Sequence, residues 1–73
     1  MSDVRITQKQ IILEHLRQFR SITQRDALEF GCYRLASRIS ELKDLGHDIR
    51  REMVTDRNQA GETIRYARYW LHE

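Results

Sequence analysis

The sequence predicts a mainly α fold with a small β-hairpin near its C-terminal end. Apolar residues recur at helical spacing through the N-terminal part of the chain, between cap residues and glycines. Beyond position 48, two segments rich in β-branched and aromatic residues flank a polar stretch that contains a glycine. Three helices, the second and third joined by a tight turn, followed by such a hairpin make a winged helix-turn-helix.

Capping signals mark the first two helices. The segment 7–10 has the form of a capping box, so helix one should run from about Gln8 to Phe19. Thr23 is the expected cap of a short second helix, and Asp26 adds negative charge to its first turn. Gly31 should end that helix because glycine adopts the left-handed conformation easily.

Helix three and the hairpin follow from periodicity. Leu35, Ile39 and Leu42 recur at helical spacing, which predicts a helix at about 33–45 that ends before Gly46. The two strands are expected at about 48–55 and 63–71, with the loop between them at 56–61. Ile22 can pair as a very short third strand at the sheet edge. The residues expected to face the core are Ile49, Ala67, Tyr69 and Leu71, which leaves Trp70 partly exposed.

The composition is that of one small domain, 1–73, with its core at about 7–71. The 73 residues include a single cysteine, Cys32, so an internal disulfide is impossible and a reducing compartment is favoured. We expect Cys32 to pack in the turn rather than to sense redox state. No apolar run is long enough to span a membrane, and Met1 to Arg5 lacks the apolar core of a signal peptide. A cytoplasmic location is therefore expected, at the nucleoid when the protein binds DNA.

The net charge indicates that the position of each arginine matters more than their number. The chain has 13 basic and 11 acidic residues, a formal charge of +2. A pI near 9.0 is only at the threshold where basicity itself argues for nucleic-acid binding.

Polar residues of helix three are the first candidates for DNA contact. The side opposite Ile39 carries Arg34, Ser37 and Glu41 on a helical wheel. In a helix-turn-helix, the start of this helix enters the major groove, where arginine binds guanine through two hydrogen bonds. The candidate base or phosphate contacts are Tyr33, Arg34, Ser37 and Arg38. The alternative is that the arginines are ordinary surface residues or brace the fold by pairing with Asp26, Glu41 or Asp44.

The second helix and the hairpin supply further candidates. Free N–H groups at a helix start attract phosphate, so Thr23, Gln24 and Arg25 are candidate phosphate contacts, with simple capping as the alternative. The candidates on the hairpin are Arg57 and Asn58 at its tip, and Arg65. For Arg50 and Arg51 we favour solvated strand charges that oppose aggregation.

The sequence gives little support for metal binding or catalysis. The histidines His15, His47 and His72 and the single cysteine lack zinc-ligand spacing. Neither a glycine-rich phosphate loop nor a nucleophile motif is present. We therefore expect no enzyme activity, metal, cofactor or small-molecule substrate.

Three segments carry a family resemblance. Arg34 to Leu42, Leu45 to Ile49 and Arg65 to Tyr69 resemble the small winged helix-turn-helix proteins encoded by bacteriophages and prophages. The similarity covers about Thr7 to Leu71 and is most specific from Arg34 to Ile49. The resemblance implies a DNA-binding role in phage gene regulation.

These observations predict a sequence-specific binder of double-stranded DNA that acts as a phage or prophage transcriptional regulator. Helix three would lie in the major groove and the hairpin on the backbone, and a homodimer or a cooperative array would supply affinity that one small module lacks. Two alternatives remain open: a protein-interaction module that acts on a host factor, and an architectural DNA binder in excision or recombination.

Overall fold

The computed structural model describes residues 7–73. Its elements are α1 (Gln8–Phe19), β1 (Ser21–Thr23), α2 (Gln24–Leu28), α3 (Leu35–Asp44), β2 (Ile49–Arg57) and β3 (Thr63–Leu71). This order confirms the winged helix-turn-helix arrangement that the sequence predicts. The two long strands make the fold mixed α/β rather than mainly α. The signal-peptide prediction concerns residues 1–5, which lie outside the described part.

The predicted capping box at Thr7 and the predicted cap at Thr23 are both present, and Asp26 makes the second cap a capping box as well. The Thr7 hydroxyl accepts from the Gln10 N–H at 3.3 Å, and the Gln10 side chain accepts from the Thr7 N–H at 2.8 Å. Thr23 and Asp26 make the same exchange at the start of α2, at 3.2 and 3.0 Å. These bonds satisfy N–H groups that a helix start leaves without partners. Helix one occupies the predicted range.

The third helix begins later than predicted. The expected range was 33–45, whereas α3 spans Leu35–Asp44. The reason is a cap supplied from another helix, because the Leu35 N–H donates to Oε1 of Gln24 at 3.0 Å. Arg34 precedes α3 with φ −127° and makes no side-chain capping bond. The two residues before α3 therefore belong to the turn.

Gly46 directly follows the C-cap of α3 as predicted, whereas α2 already ends at Leu28, so Gly31 lies in the turn after α2 rather than at the end of the helix. Gly31 has φ +78° and Gly46 has φ +101°, in the left-handed region that other residues rarely adopt. Substitution at either position would strain the backbone even though the space around it is open.

The sheet is antiparallel, in the order β1-β3-β2. Ile22 pairs with Tyr69, so the predicted third strand is present at one edge. β2 and β3 pair without interruption from Ile49 with Leu71 to Arg57 with Thr63. The first strand was expected to stop at position 55, but this pairing extends it, and the loop shrinks to 58–62. We call β2, β3 and this loop the wing.

The core joins all three helices to the base of the wing. Its buried members are Ile12, Leu16, Ile22, Ala27, Cys32, Leu35, Ile39, Leu42, Ile49 and Leu71. Each fully buried aliphatic side chain stabilises the fold by roughly 1.5–3 kcal/mol. Tyr69 packs against this cluster, whereas Ala67 and Trp70 are half-buried. The predicted inward positions Ile49 and Leu71 are confirmed, as are the packing role of Cys32 and the partial exposure of Trp70.

No helix in the range 7–73 is both long and apolar enough to cross a membrane.

Candidate nucleic-acid interface

The wing has two faces that differ in character. Directly paired residues of antiparallel strands point to the same face, and successive residues alternate between faces. The face that continues from the buried pair Ile49 and Leu71 is called the inner face, and the other the outer face. Beyond the core, the inner face carries Arg51, Met53, Thr55, Arg57, Thr63, Arg65 and Ala67. The outer face carries Arg50, Glu52, Val54, Asp56, Ile64, Tyr66, Arg68 and Trp70.

Three arginines of the inner face have free guanidinium groups. Among residues 7–73, Arg51, Arg57 and Arg65 make no ion pair, and all three are exposed. The strand positions of this face hold no carboxylate. An unpaired cation row of this kind can bind phosphate without first breaking an internal contact.

The polar groups of the outer face are mostly occupied. Arg50 lies 3.4 Å from Asp48, and Arg68 donates to the Ser21 hydroxyl at 3.1 Å. The Arg68 guanidinium also lies 5.9 Å from the ring centre of Trp70, whose indole N–H donates to Glu52 at 3.2 Å. This face therefore carries both basic and acidic side chains, and most of their polar groups contact other side chains of the protein.

Arg51 was not among the residues that the sequence singled out for DNA contact. The pattern of the sequence alone favoured a solvated strand charge there, yet Arg51 shares the inner face with the predicted residues Arg57 and Arg65. A signal was available, because Arg51 follows the inward residue Ile49 by two positions in a strand of period two. Arg50, one position earlier, lies on the opposite face.

The exposed side of α3 is open. Its buried side, Leu35, Ile39 and Leu42, joins Ile49 of β2 in the core, so α3 lies on the inner-face side of the sheet. Tyr33 is 79% exposed. The other exposed residues of 33–44 are Arg34, Ala36, Ser37, Ser40, Lys43 and Asp44. The hairpin does not cover this surface.

Arg38 and Glu41 face α1 rather than the open side. Nη1 of Arg38 lies 3.2 Å from both carboxylate oxygens of Glu41, and Lys9 of α1 approaches the same carboxylate at 3.6 Å. The Arg38 Nε is buried and has no hydrogen-bond partner in the described part of the chain. Two-bond recognition of guanine needs two guanidinium nitrogens, so Arg38 must leave Glu41 to provide it. This ion pair with Glu41 corresponds to the alternative given in the sequence analysis, in which Arg38 stabilises the fold rather than contacts DNA.

The candidates at α2 divide into internal and free groups. Thr23 is 6% exposed and serves as the cap, whereas the Arg25 side chain is exposed. Both polar ends of the Gln24 amide are used, since Nε2 donates to the Cys32 carbonyl at 2.7 Å and Oε1 accepts from Leu35. Gln24 therefore fixes the turn and the start of α3, a role that the sequence did not reveal.

Asn58 shapes the wing loop. Its side-chain oxygen accepts from the N–H groups of Ala60 and Glu62, both at 3.0 Å, and its own N–H donates to the Glu62 carbonyl at 3.0 Å. Such bonds hold a short loop in one conformation. Arg57, just before it, is thereby presented at the end of the inner face.

Groups suited to other chemistry are scattered. The described residues contain no cluster of three or more histidine, cysteine or acidic side chains that could hold a metal ion.

The comparisons agree with this architecture. A search of curated proteins finds no match. The family model described as winged helix-turn-helix domain matches residues 7–73, nearly the whole chain. The chain belongs to the winged helix-turn-helix domain family.

Proposed function

We propose that the chain binds double-stranded DNA with a sequence preference, with α3 in the major groove and the inner face of the wing along the phosphate backbone. A winged helix-turn-helix domain itself suggests DNA binding and is typically a nonenzymatic module. The observation that carries the proposal is the row of three unpaired arginines, Arg51, Arg57 and Arg65, on the side of the sheet that also bears α3.

Charge segregation explains how a chain of net charge +2 binds a polyanion. A duplex meets the local surface of the protein rather than its average charge. Free arginines on the inner face release counterions from phosphate when they bind, while the carboxylates Glu52 and Asp56 lie on the other face. The nearly balanced composition therefore does not oppose binding.

Base recognition is assigned to the start of α3. Arg34 has an exposed side chain that makes no ion pair within 7–73, and it stands where a recognition helix meets base edges. Tyr33 and Ser37 flank it with hydroxyl groups that can bind a base or a phosphate. Gln24 supports recognition indirectly, since it holds the first N–H of the helix. Arg25 and Asn58 are assigned backbone contacts at the edges of the interface.

A salt titration with two matched variants tests the proposal. Arg51→Ala should weaken binding to mixed-sequence duplex roughly fivefold at 0.15 M salt and reduce the salt slope by about 0.9. Arg17→Ala removes the same charge from α1, where Arg17 pairs with Glu14 at 3.3 Å, and should leave both quantities unchanged. Equal effects of the two variants would show that only net charge matters and would reject the interface.

The biological role that we propose is transcriptional regulation in a phage or prophage, in the cytoplasm and at the nucleoid. The resemblance of the segment from Arg34 to Ile49 to small phage-encoded domains supports it. Selection of bound sequences from a random duplex pool tests the first requirement, a defined motif. A reporter downstream of that motif then tests regulation, and an unchanged reporter signal would remove this role while leaving DNA binding intact.

A second candidate function is docking on a protein. It is favoured by a partly exposed aromatic cluster between α1 and the turn after α2: Phe19 is 60% exposed, and the half-buried His15 ring lies 4.7 Å from Phe19 and 5.9 Å from Phe30. Exposed aromatic residues are common at protein interfaces. If Phe19→Ser abolishes capture of a host protein while DNA binding persists, the chain has both functions. If the wild-type protein shows no salt-dependent DNA binding, docking becomes the leading candidate.

A further inference from the structure

We propose that two copies of the chain pair through the free edges of their β2 strands, antiparallel and centred on Met53, to form one continuous six-stranded sheet. The pairing itself does not depend on DNA binding. Its consequence for the symmetry of the DNA site rests on the proposed function.

The β2 edge is open and regular. The strand order β1-β3-β2 leaves one side of β2 without a neighbour among residues 7–73. The nine residues pair with β3 in unbroken register, so no bulge twists the edge away, and the sequence contains no proline to block it. An edge of this kind exposes N–H and C=O groups that can accept another strand.

Charge complementarity selects both the partner and the register. When the pair is centred on Met53, Arg50 lies opposite Asp56 of the second copy and would exchange its 3.4 Å contact with Asp48 for this one, which symmetry repeats. Both residues belong to the outer face, as direct cross-strand partners must. The remaining opposed pairs are Met53 with Met53, Glu52 with Val54, Arg51 with Thr55 and Ile49 with Arg57. None of them brings like charges together.

Neighbouring registers lack this complementarity. If the centre moves by one residue to Glu52, that carboxylate faces its own copy. If it moves to Val54, Arg51 faces Arg57 and Glu52 faces Asp56. Like charges directly opposite one another destabilise a strand pair. Only the register centred on Met53 places Arg50 opposite Asp56 without opposing like charges elsewhere.

The symmetry of this pair suits a duplex. A two-fold axis perpendicular to the sheet keeps both inner faces on one side, so the free arginines of the two copies form a single surface. Repulsion within that surface would be relieved by phosphate. The nine residues of β2 span about 27 Å at the usual strand rise, and the two helical bodies lie beyond the ends of this span. The recognition helices would thus reach half-sites roughly one duplex turn, about 34 Å, apart on a palindromic site.

Cross-linking of the full chain tests the register without DNA. Met53→Cys places a thiol opposite its own copy, within reach of a cross-linker about 5 Å long. Thr55→Cys, on the same face of the same strand, lies about 13 Å from its copy and should not react. Met53 is 51% exposed, so the change should not disturb the fold, and Cys32 is fully buried and should not compete. Equal yields from the two variants, or none from either, would overturn the pairing.

A charge swap provides an independent measurement by sedimentation equilibrium. Arg50→Asp should weaken dimerisation about tenfold, because two attractive contacts become repulsive, and adding Asp56→Arg should restore it. Circular dichroism checks that each variant is folded. A dimer that survives Arg50→Asp but is lost in Phe19→Ser would lie on α1 and overturn the proposal. A wild-type protein that stays monomeric at millimolar concentration would overturn it as well.

Discussion

The two faces of the wing contain similar numbers of arginines but use them differently. The outer-face arginines, Arg50 and Arg68, are engaged with Asp48, Ser21 and Trp70, whereas the three on the inner face have no partner among residues 7–73. Successive residues of β2 point to opposite faces, so the neighbouring residues Arg50 and Arg51 belong to different groups. In a strand, charged residues must therefore be assigned to a face by alternate positions, because neighbours in the sequence lie on opposite faces.

Removal of the whole inner-face row should have the largest effect. The variant with alanine at Arg51, Arg57 and Arg65 should bind mixed-sequence duplex about 100-fold more weakly at 0.15 M salt, with a salt slope lower by about 2.7. Fluorescence anisotropy over a salt series measures both quantities. These side chains are exposed, so circular dichroism and thermal unfolding should match wild type. A loss of less than threefold would mean that the wing does not lie on the backbone.

The same contrast between free and engaged arginines appears at α3. Arg34→Ala should reduce discrimination at one base pair by about 1–3 kcal/mol, because a free guanidinium is lost from the start of the recognition helix. Arg38→Ala should change discrimination far less, since Arg38 is paired with Glu41.

Competition between the preferred duplex and its single-base variants measures this difference. The Arg38 variant should show a small loss of stability, because its ion pair is partly exposed. If Arg38→Ala relaxes base preference more than Arg34→Ala, then Arg38 leaves Glu41 on binding. In that case an ion pair in the unbound protein does not tell which arginine of this segment contacts DNA.

Moving one arginine between faces sharpens the comparison at constant net charge. In the Arg51→Ala background, Thr55→Arg adds a cation to the inner face and should recover most of the roughly fivefold loss of affinity. Val54→Arg adds the same cation to the outer face and should recover none of it. The assay uses a duplex long enough for one copy. Recovery by both variants would show that the duplex does not distinguish the faces.

Much of the fold could be predicted because its signals are local. The Thr7 capping box, the Thr23 cap and the glycine at 46 act through neighbouring backbone groups, and each is present as expected. The ends of β2 and α3 could not be predicted in the same way. Pairing with β3 extends β2 to Arg57, and a hydrogen bond from Gln24 sets the start of α3. Both depend on residues distant in sequence.

The candidate site shows the same division between local and distant information. The wheel of helix three identified Arg34 and Ser37 as exposed, since helical periodicity is enough to separate sides. It did not show that Lys9 and Arg38 hold Glu41 towards α1, because that contact joins two helices. The position of Arg51 was available in principle from strand period two, once Ile49 was assigned to the core.

The smallest expected effect concerns the end of the sheet opposite the wing tip. There the Glu73 carboxylate lies 2.7 Å from the His47 ring and accepts from the Asp48 N–H at 3.3 Å. The hydrogen bond with His47 is the main cause that lowers the pKa of Glu73 below its usual 4.5. A carboxyl group whose pKa is lower in the folded state contributes stability above its unfolded pKa, and this contribution is lost as pH falls through the folded value.

Glu73→Gln should therefore lower the urea midpoint slightly at pH 7 and pH 5, and the difference from wild type should vanish near pH 3. Because Glu73 lies away from the inner face, DNA affinity and its salt slope should stay at wild-type values at pH 7. A midpoint difference that persists at pH 3 would assign the effect to packing rather than to the charged carboxylate. A change in the salt slope would instead show that the engaged charges at this end of the sheet also meet the duplex, which would weaken the contrast between free and engaged groups.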